Sequence, residues 1–209
     1  MVNGKYIIGI TGGIGSGKSY VSNILRQRFN IPVYDCDAEA KRLTATDEEI
    51  RQKLIQLVGP EIFDGHELVR KRLADYLFAD PEHASRVNAI IHPAVLRDFE
   101  EWARGILSPR GEVWKGAVGL ESAILFESGF NAHVDKVLFV DAPEDVRLRR
   151  AMQRDTATEE QIRARMKMQQ PELHRKQADY IIDNSSNDDT RLLEQLEKIV
   201  HSSNLNHLS

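Results

Sequence analysis

Cysteine is almost missing. The 209 residues hold one, Cys36, so no internal disulfide can form and a reducing compartment is expected. No apolar run approaches the ~18 residues of a membrane span. Met1 to Lys5 lack the layout of a signal peptide, and a cytoplasmic protein is the expectation. An excess of positive charge is absent too: 28 Lys and Arg stand against 32 Asp and Glu, a net charge of −4. That argues against a general nucleic-acid binder while leaving room for a local basic site. The seven histidines show no H-x₃-H pair, which removes the zinc reading. What is present is ordinary for a globular domain, with 41% apolar and 29% charged residues, and the length suffices to bury a core without staples.

Hydrophobic patterning alternates strands with helices. Tyr6 to Ile10 is a short apolar run that reads as a buried strand, followed by a glycine-rich turn from Gly12 to Gly17. Lys18 to Phe29 then reads as a helix with Val21, Ile24, Leu25 and Phe29 on one face. Ile31 to Tyr34, Val113 to Leu120, Lys136 to Val140 and Tyr180 to Ile182 complete the set of strands. From Ala38 to Arg104 the pattern is helical, with breaks at Gly59-Pro60 and Asp64-Gly65. Within it Leu68 to Phe78, Pro81 to Ile91 and Ala94 to Gly105 read as separate helices, too much chain for one βα crossover and better taken as an insertion. Thr46 with Glu49, and Thr158 with Gln161, look like capping boxes, and Pro143 opens a helix at its favoured first position. Asp189 to Val200 reads as a closing amphipathic helix, and the tail from His201 is polar. The implied class is α/β with a mainly parallel sheet.

The strongest chemical signal is Gly12-Gly13-Ile14-Gly15-Ser16-Gly17-Lys18-Ser19, which fits G-x-x-x-x-G-K-[ST] between an apolar strand and an amphipathic helix. Glycines allow backbone N–H groups to surround phosphate oxygens, and the helix behind points its positive end at the same anion. Lys18 adds a full charge for the outer phosphates, and the Ser19 hydroxyl suits Mg²⁺. The dinucleotide fingerprint fails on spacing, because Lys18 or Tyr20 falls where its last glycine belongs. The site is therefore one for a nucleoside triphosphate.

Asp35 and Asp37 end the second strand and share a face if the chain there is extended. One acid could orient the metal's water and the other accept the proton of an attacking hydroxyl. A solvated turn, or Asp37 as the cap of a helix from Ala38, is the bland alternative. Glu121 follows the third strand, where a second metal-orienting acid is expected, and Glu127 lies six residues on; a surface carboxylate is the alternative for each. Arg147, Arg150 and Arg154 share a helix face. From Pro143 to Gln177 there are nine basic and six acidic residues, a local excess of positive charge in an acidic chain. An arginine-bearing lid fits that pattern, and so does a solvated, salt-bridged helix. No Asn-Lys pair, no Asp three residues before a glycine and no Leu-Ser-Gly-Gly occur, which sets aside GTPases and transporter ATPases. A small-molecule kinase remains, with a nucleotide-driven binding or switch protein as the alternative class. His92 reads as a helix-start residue or a substrate contact, and Cys36 as a small packing group.

Together these residues resemble the dephospho-coenzyme A kinase family. The likeness runs from Ile7 to Asn184: Ile10 to Ser19 is similar to its opening, Asp35-Cys36-Asp37 to its Asp-Ala-Asp, Arg70 with Leu73 to Phe78 to its Arg-x-x-Leu and following Phe, and Ile91-His92-Pro93 to its Leu-His-Pro. Leu125-Phe126-Glu127 resembles its Leu-Leu-Phe-Glu, Arg150, Arg154-Asp155, Arg165 and Gln169 its lid pattern, and Ala178-Asp179 with Ile182-Asp183-Asn184 its final strand. The resemblance implies a phosphate-loop (P-loop NTPase) three-layer fold with a five-stranded parallel sheet, a helical substrate-binding insertion and a short lid. Residues 1–37, 106–153 and 178–209 would form the nucleotide-binding core, 38–105 the substrate domain and 154–177 the lid. The implied reaction moves the γ-phosphoryl of ATP, with Mg²⁺, to the ribose 3′-hydroxyl of dephospho-CoA. Asp37 would be the base, with Lys18 and Arg154 stabilising the transferring group. Gly12, Gly13, Ile14, Gly15, Ser16, Gly17, Lys18, Ser19, Tyr20, Arg150 and Arg165 would hold ATP. Asp37, Arg70, Phe78, His92, Leu125 and Glu127 would face the acceptor, and Ser19, Asp35 and Glu121 the metal. Tyr20 stands where the family usually has Thr, and Ser122-Ala123 replaces a common Val-Pro. The expected partner is the small-molecule substrate, with no nucleic acid and no membrane, in a monomer or weak homo-oligomer; a nucleoside monophosphate kinase of the same fold is the alternative within the class.

Overall fold

The computed structural model describes residues 6–107, 116–186 and 188–202. By internal packing it forms two units, 1–34 with 106–209, and 35–105. Val113, the expected start of one strand, lies outside the described residues, as does the polar tail from 203.

The first unit is built on a parallel sheet. Its strands are β1 (Tyr6–Thr11), β2 (Val33–Asp35), β5 (Ala117–Glu121), β6 (Lys136–Asp141) and β7 (Tyr180–Asp183), in the order β2-β5-β1-β6-β7. Register is set by Ile8 opposite Gly119 and Ile10 opposite Leu138, with Val140 opposite Ile182. The chain leaves β1 toward one edge and crosses back over it between β5 and β6. That reversal makes the carboxyl end of β1 a topological switch point, where a crevice opens for ligands. The residues after β1 are the glycine-rich turn.

The sheet is held by apolar burial. Ile8 and Ile10 of β1 pack with Val21, Ile24 and Leu25 of α1 (Lys18–Phe29), and Leu138, Val140 and Ile182 pack with Leu192, Leu196 and Val200 of α9 (Asp189–Ser202). A second cluster joins α6 (Glu144–Arg154) to α7 (Glu159–Lys167) through Leu148, Ala151, Ile162 and Met166, with Ile14 of the glycine-rich turn packed against it. The capping box of α7 forms as expected, with Thr158 and Gln161 exchanging both hydrogen bonds. Pro143 sits one residue before α6 as its cap rather than inside it. A short helix, α8 (Pro171–Gln177), leads into β7.

The second unit is mainly helical: α2 (Cys36–Thr46), α3 (Glu48–Val58), α4 (Arg70–Ala79) and α5 (Pro81–Ile106). Four sequence expectations are corrected here. The Asp64-Gly65 break is a small antiparallel hairpin, β3 (Phe63–Asp64) with β4 (Glu67–Leu68), so Leu68 is strand rather than helix. The expected division at His92-Pro93 is absent: α5 is continuous through Pro93. An internal proline costs a helix about 3 kcal/mol, and burial of Val87, Ala94, Val95, Phe99 and Ala103 on either side of it offsets that cost. The Thr46–Glu49 box does not form: Asp47 caps α3 by accepting from the Ile50 N–H, and the Thr46 hydroxyl instead donates to the Arg42 carbonyl. Asp35 and Asp37 do not share an extended face, because α2 has begun by Cys36. One Asp35 carboxylate oxygen accepts the N–H groups of Asp37 and Ala38, both at 3.0 Å, so Asp35 is the helix cap.

Candidate active site

The phosphate loop is moulded by what packs against it. Gly15 has φ +76°, and a Cβ there would strike the backbone carbonyl of Arg147. Gly17 has φ +96°, and a Cβ there would collide with the Asn184 amide. Neither position admits an L side chain. The loop thus sits between the β6–α6 junction on one side and the end of β7 on the other. Asn184, buried, donates from Nδ2 to the Ser16 carbonyl at 2.7 Å, and its own carbonyl accepts from Arg150 Nη1 at 2.8 Å.

Lys18 projects from the first turn of α1, and its ammonium donates to the carbonyls of Gly12 (2.9 Å) and Gly13 (3.2 Å). The cation is held at the loop, beside the backbone N–H groups that suit phosphate oxygens. Ser19 donates from Oγ to Glu121 Oε1 at 2.7 Å. Glu121 ends β5 and is 5% exposed, and its Oε2 is buried without a hydrogen-bond partner among the described residues. A hydroxyl beside a buried carboxylate with an idle oxygen is a donor set that suits Mg²⁺. Among the described residues no cluster of three or more His, Cys, Asp and Glu gathers to cage a metal.

One residue of the segment expected as a lid reaches the loop. Gln169 Oε1 accepts the Ile14 N–H at 2.8 Å. Arg154 and Arg165 are brought together by Asp155, whose carboxylate accepts from Arg154 Nε at 2.8 Å and from Arg165 Nη2 at 3.0 Å. The Arg154 hydrogen bond and charge, with those of Arg165, hold the Asp155 carboxyl below the usual carboxylate range. Tyr20 is committed elsewhere: its hydroxyl donates to Asp189 Oδ1 at 2.7 Å, joining α1 to α9, and that bond raises its pKa.

Leu125 is fully buried, its side chain closing on Gly9 of β1, while its carbonyl accepts from the Asn131 N–H. It anchors the segment that carries Glu127. The Glu127 carboxylate is half-exposed, 3.7 Å from His174 Nε2, and the His174 ring stacks on Phe126. The second unit carries the other expected residues. Asp37 is exposed in the first turn of α2, and Arg70 is exposed at the start of α4. Phe78, near the end of α4, is 90% exposed, which is unusual for a large apolar side chain. His92 is half-buried in α5, and burial lowers its pKa below the usual histidine range.

Sequence reasoning missed His174; it read Arg147 only as one arginine of a possible lid, and quoted Gln169 and Asn184 only in the family's motifs, with no role given to them. Asn184 and Gln169 meet their loop partners across 168 and 155 residues, so no local spacing announces them.

A phosphate loop at the switch point of a parallel sheet, a strand-end acid on its serine and an arginine-bearing segment over its tip make this a P-loop kinase. The dephospho-CoA kinase family model matches residues 6–189. A dephospho-CoA kinase of Bacteroides fragilis is 48% identical over 162 residues, covering 78% of this chain and 76% of that protein. A crystal structure of a Thermus thermophilus protein superposes with a TM-score of 0.79 at 37% identity, covering 95% of this chain and 97% of that one. The dephospho-CoA kinase of Campylobacter jejuni shares the fold, with a TM-score of 0.65 at 24% identity over 96% of this chain and 98% of that one. The chain belongs to the dephospho-CoA kinase family.

Proposed function

We propose that this chain transfers the γ-phosphoryl group of ATP to the ribose 3′-hydroxyl of dephospho-CoA, giving coenzyme A and ADP, the last step of coenzyme A synthesis. The observation that carries the reading is the joint one: a phosphate loop whose lysine and serine are in place, within a family match spanning both units of the chain.

Phosphoryl transfer asks the protein for position and charge more than covalent work. Backbone N–H groups from Gly12 to Lys18 cradle the phosphates, and the Lys18 ammonium carries charge to the outer ones. Asp37 accepts the proton of the 3′-hydroxyl while that oxygen bonds to the γ-phosphorus and the bond to the bridging oxygen of ADP breaks. Arg154 stabilises the charge spread over the transferring group, and Arg150 and Arg165 hold phosphates. Ser19 would hold Mg²⁺, with Glu121 orienting it through the Ser19 hydroxyl, and the ion would neutralise phosphate charge; Asp35, whose carboxylate caps α2, is the weaker claimant. Arg70, Phe78, His92, Leu125 and Glu127 bind the acceptor, as the family resemblance implies, and residues 154–177 act as a lid that excludes water.

The test is ADP release with Mg-ATP across a panel of acceptors: dephospho-CoA, nucleoside monophosphates, shikimate and water. Release stimulated by dephospho-CoA alone is expected. Equal or greater stimulation by a nucleoside monophosphate, or slow hydrolysis indifferent to every acceptor, would replace this reading with a different kinase or a nucleotide switch.

A further inference from the structure

Arg147 is the most buried of the four arginines of α6. It is 9% exposed, whereas Arg149 and Arg154 on the same helix lie at the surface. Its Nε donates to the Ala142 carbonyl at 3.0 Å, which fixes the head of the side chain at the β6–α6 junction. Its Nη1 occupies the space a Cβ on Gly13 would need, and its carbonyl oxygen occupies the space a Cβ on Gly15 would need. Nη1 is sealed from solvent and has no hydrogen-bond partner among the described residues. Two cations therefore converge on Gly13, Lys18 on its carbonyl and Arg147 on its α-carbon.

A buried guanidinium with idle N–H groups is costly to hold, and such a cost persists where something else offsets it. The chain of phosphates that the neighbouring loop is shaped to take is an anion of the right sign, and the guanidinium packs against that loop at Gly13. Because Nη1 is sealed, it acts on that anion through its field and through the shape of the loop.

We propose that Arg147 is a positioning residue for nucleotide binding: its guanidinium, wedged against Gly13 from α6, sets the Gly13–Gly15 turn and places fixed positive charge behind the phosphate site. The proposal rests on the kinase reading only for the identity of the loop's ligand, and it is independent of the acceptor.

The experiment is calorimetric Mg-ATP binding without acceptor, with steady-state kinetics, on Arg147→Gln, Arg147→Lys and the surface control Arg149→Gln. Arg147→Gln is expected to weaken Mg-ATP binding about tenfold and raise the KM for ATP in step, as loss of a fixed charge behind the phosphate site does. The KM for dephospho-CoA stays within about twofold, since the loss falls on nucleotide binding. Arg147→Lys keeps the charge but loses the fork, and recovers part of the affinity. Arg149→Gln binds as wild type. Wild-type affinity in folded Arg147→Gln would overturn the proposal, whatever happens to Tm. Should that variant fail to fold, wild-type affinity in Arg147→Lys would overturn it, and a several-fold loss would support it. A wild-type protein that binds Mg-ATP but phosphorylates no dephospho-CoA would sink the acceptor assignment and leave this one standing.

Discussion

In the proposed reaction Lys18, Asp37 and Glu121 do different work, and substitution separates them. Asp37→Asn keeps the shape and removes the base, so kcat is expected to fall ~10²-fold or more while the KM for ATP changes little. Unchanged kcat in steady-state assays would take Asp37 out of the chemistry. Glu121→Gln keeps an acceptor for the Ser19 hydroxyl but removes the carboxylate charge. The Mg²⁺ concentration for half-maximal rate should then rise ~10- to 100-fold, the usual cost of disturbing an outer-shell partner. A Mg²⁺ titration indistinguishable from wild type would move the metal role to another acid. At this scale the sequence was most informative where chemistry demands adjacent residues, as from Gly12 to Ser19. It was least informative at Asp35, whose carboxylate could serve a metal or a helix start with equal economy; the two hydrogen bonds to Asp37 and Ala38 make it the cap.

At the level of elements, the loop depends on strands and helices far from it in sequence. Asn184 follows β7 and supports the Ser16 carbonyl from inside the core. Asn184→Ala leaves that carbonyl without its partner and is expected to cost about 1–3 kcal/mol of stability. The KM for ATP should rise with it; thermal unfolding and initial rates measure the two effects. In α5, burial lowers the pKa of His92, so the folded state resists the proton that the unfolded chain takes up. Above the ordinary histidine value both states are neutral and stability does not depend on this group. As pH falls through ~6.5 the unfolded state gains protons first and stability drops, levelling below the folded-state value. Denaturant unfolding between pH 8 and 5 should show a smaller acid-side loss in His92→Gln than in wild type. Identical profiles would remove His92 as the cause. The elements themselves were legible from periodicity where propensity and packing agree, as in α1 and β6. They were misread where packing overrides propensity, as in α5, whose buried residues carry the helix through Pro93.

For the whole molecule, the parallel sheet followed from strands alternating with helices, and its order β2-β5-β1-β6-β7 explains why the loop after β1 meets Glu121, Asn184 and the arginines of α6. That convergence was only partly readable. Gln169 and Asn184 carry no spacing signal toward residues 14 and 16, and Arg147 looks in sequence like any arginine on a charged helix. Among the described residues no helix is long and apolar enough to cross a membrane. The helical unit is where acceptor choice is expected to reside, and its pattern of buried residues reports packing rather than ligand. The central claim therefore turns on the product. Phosphorus NMR and mass analysis of the material formed from Mg-ATP and dephospho-CoA should show a new phosphomonoester on the ribose 3′-oxygen, in one-to-one yield with ADP. ADP formed with inorganic phosphate and unchanged dephospho-CoA, or a phosphate on any other oxygen, would contradict the account.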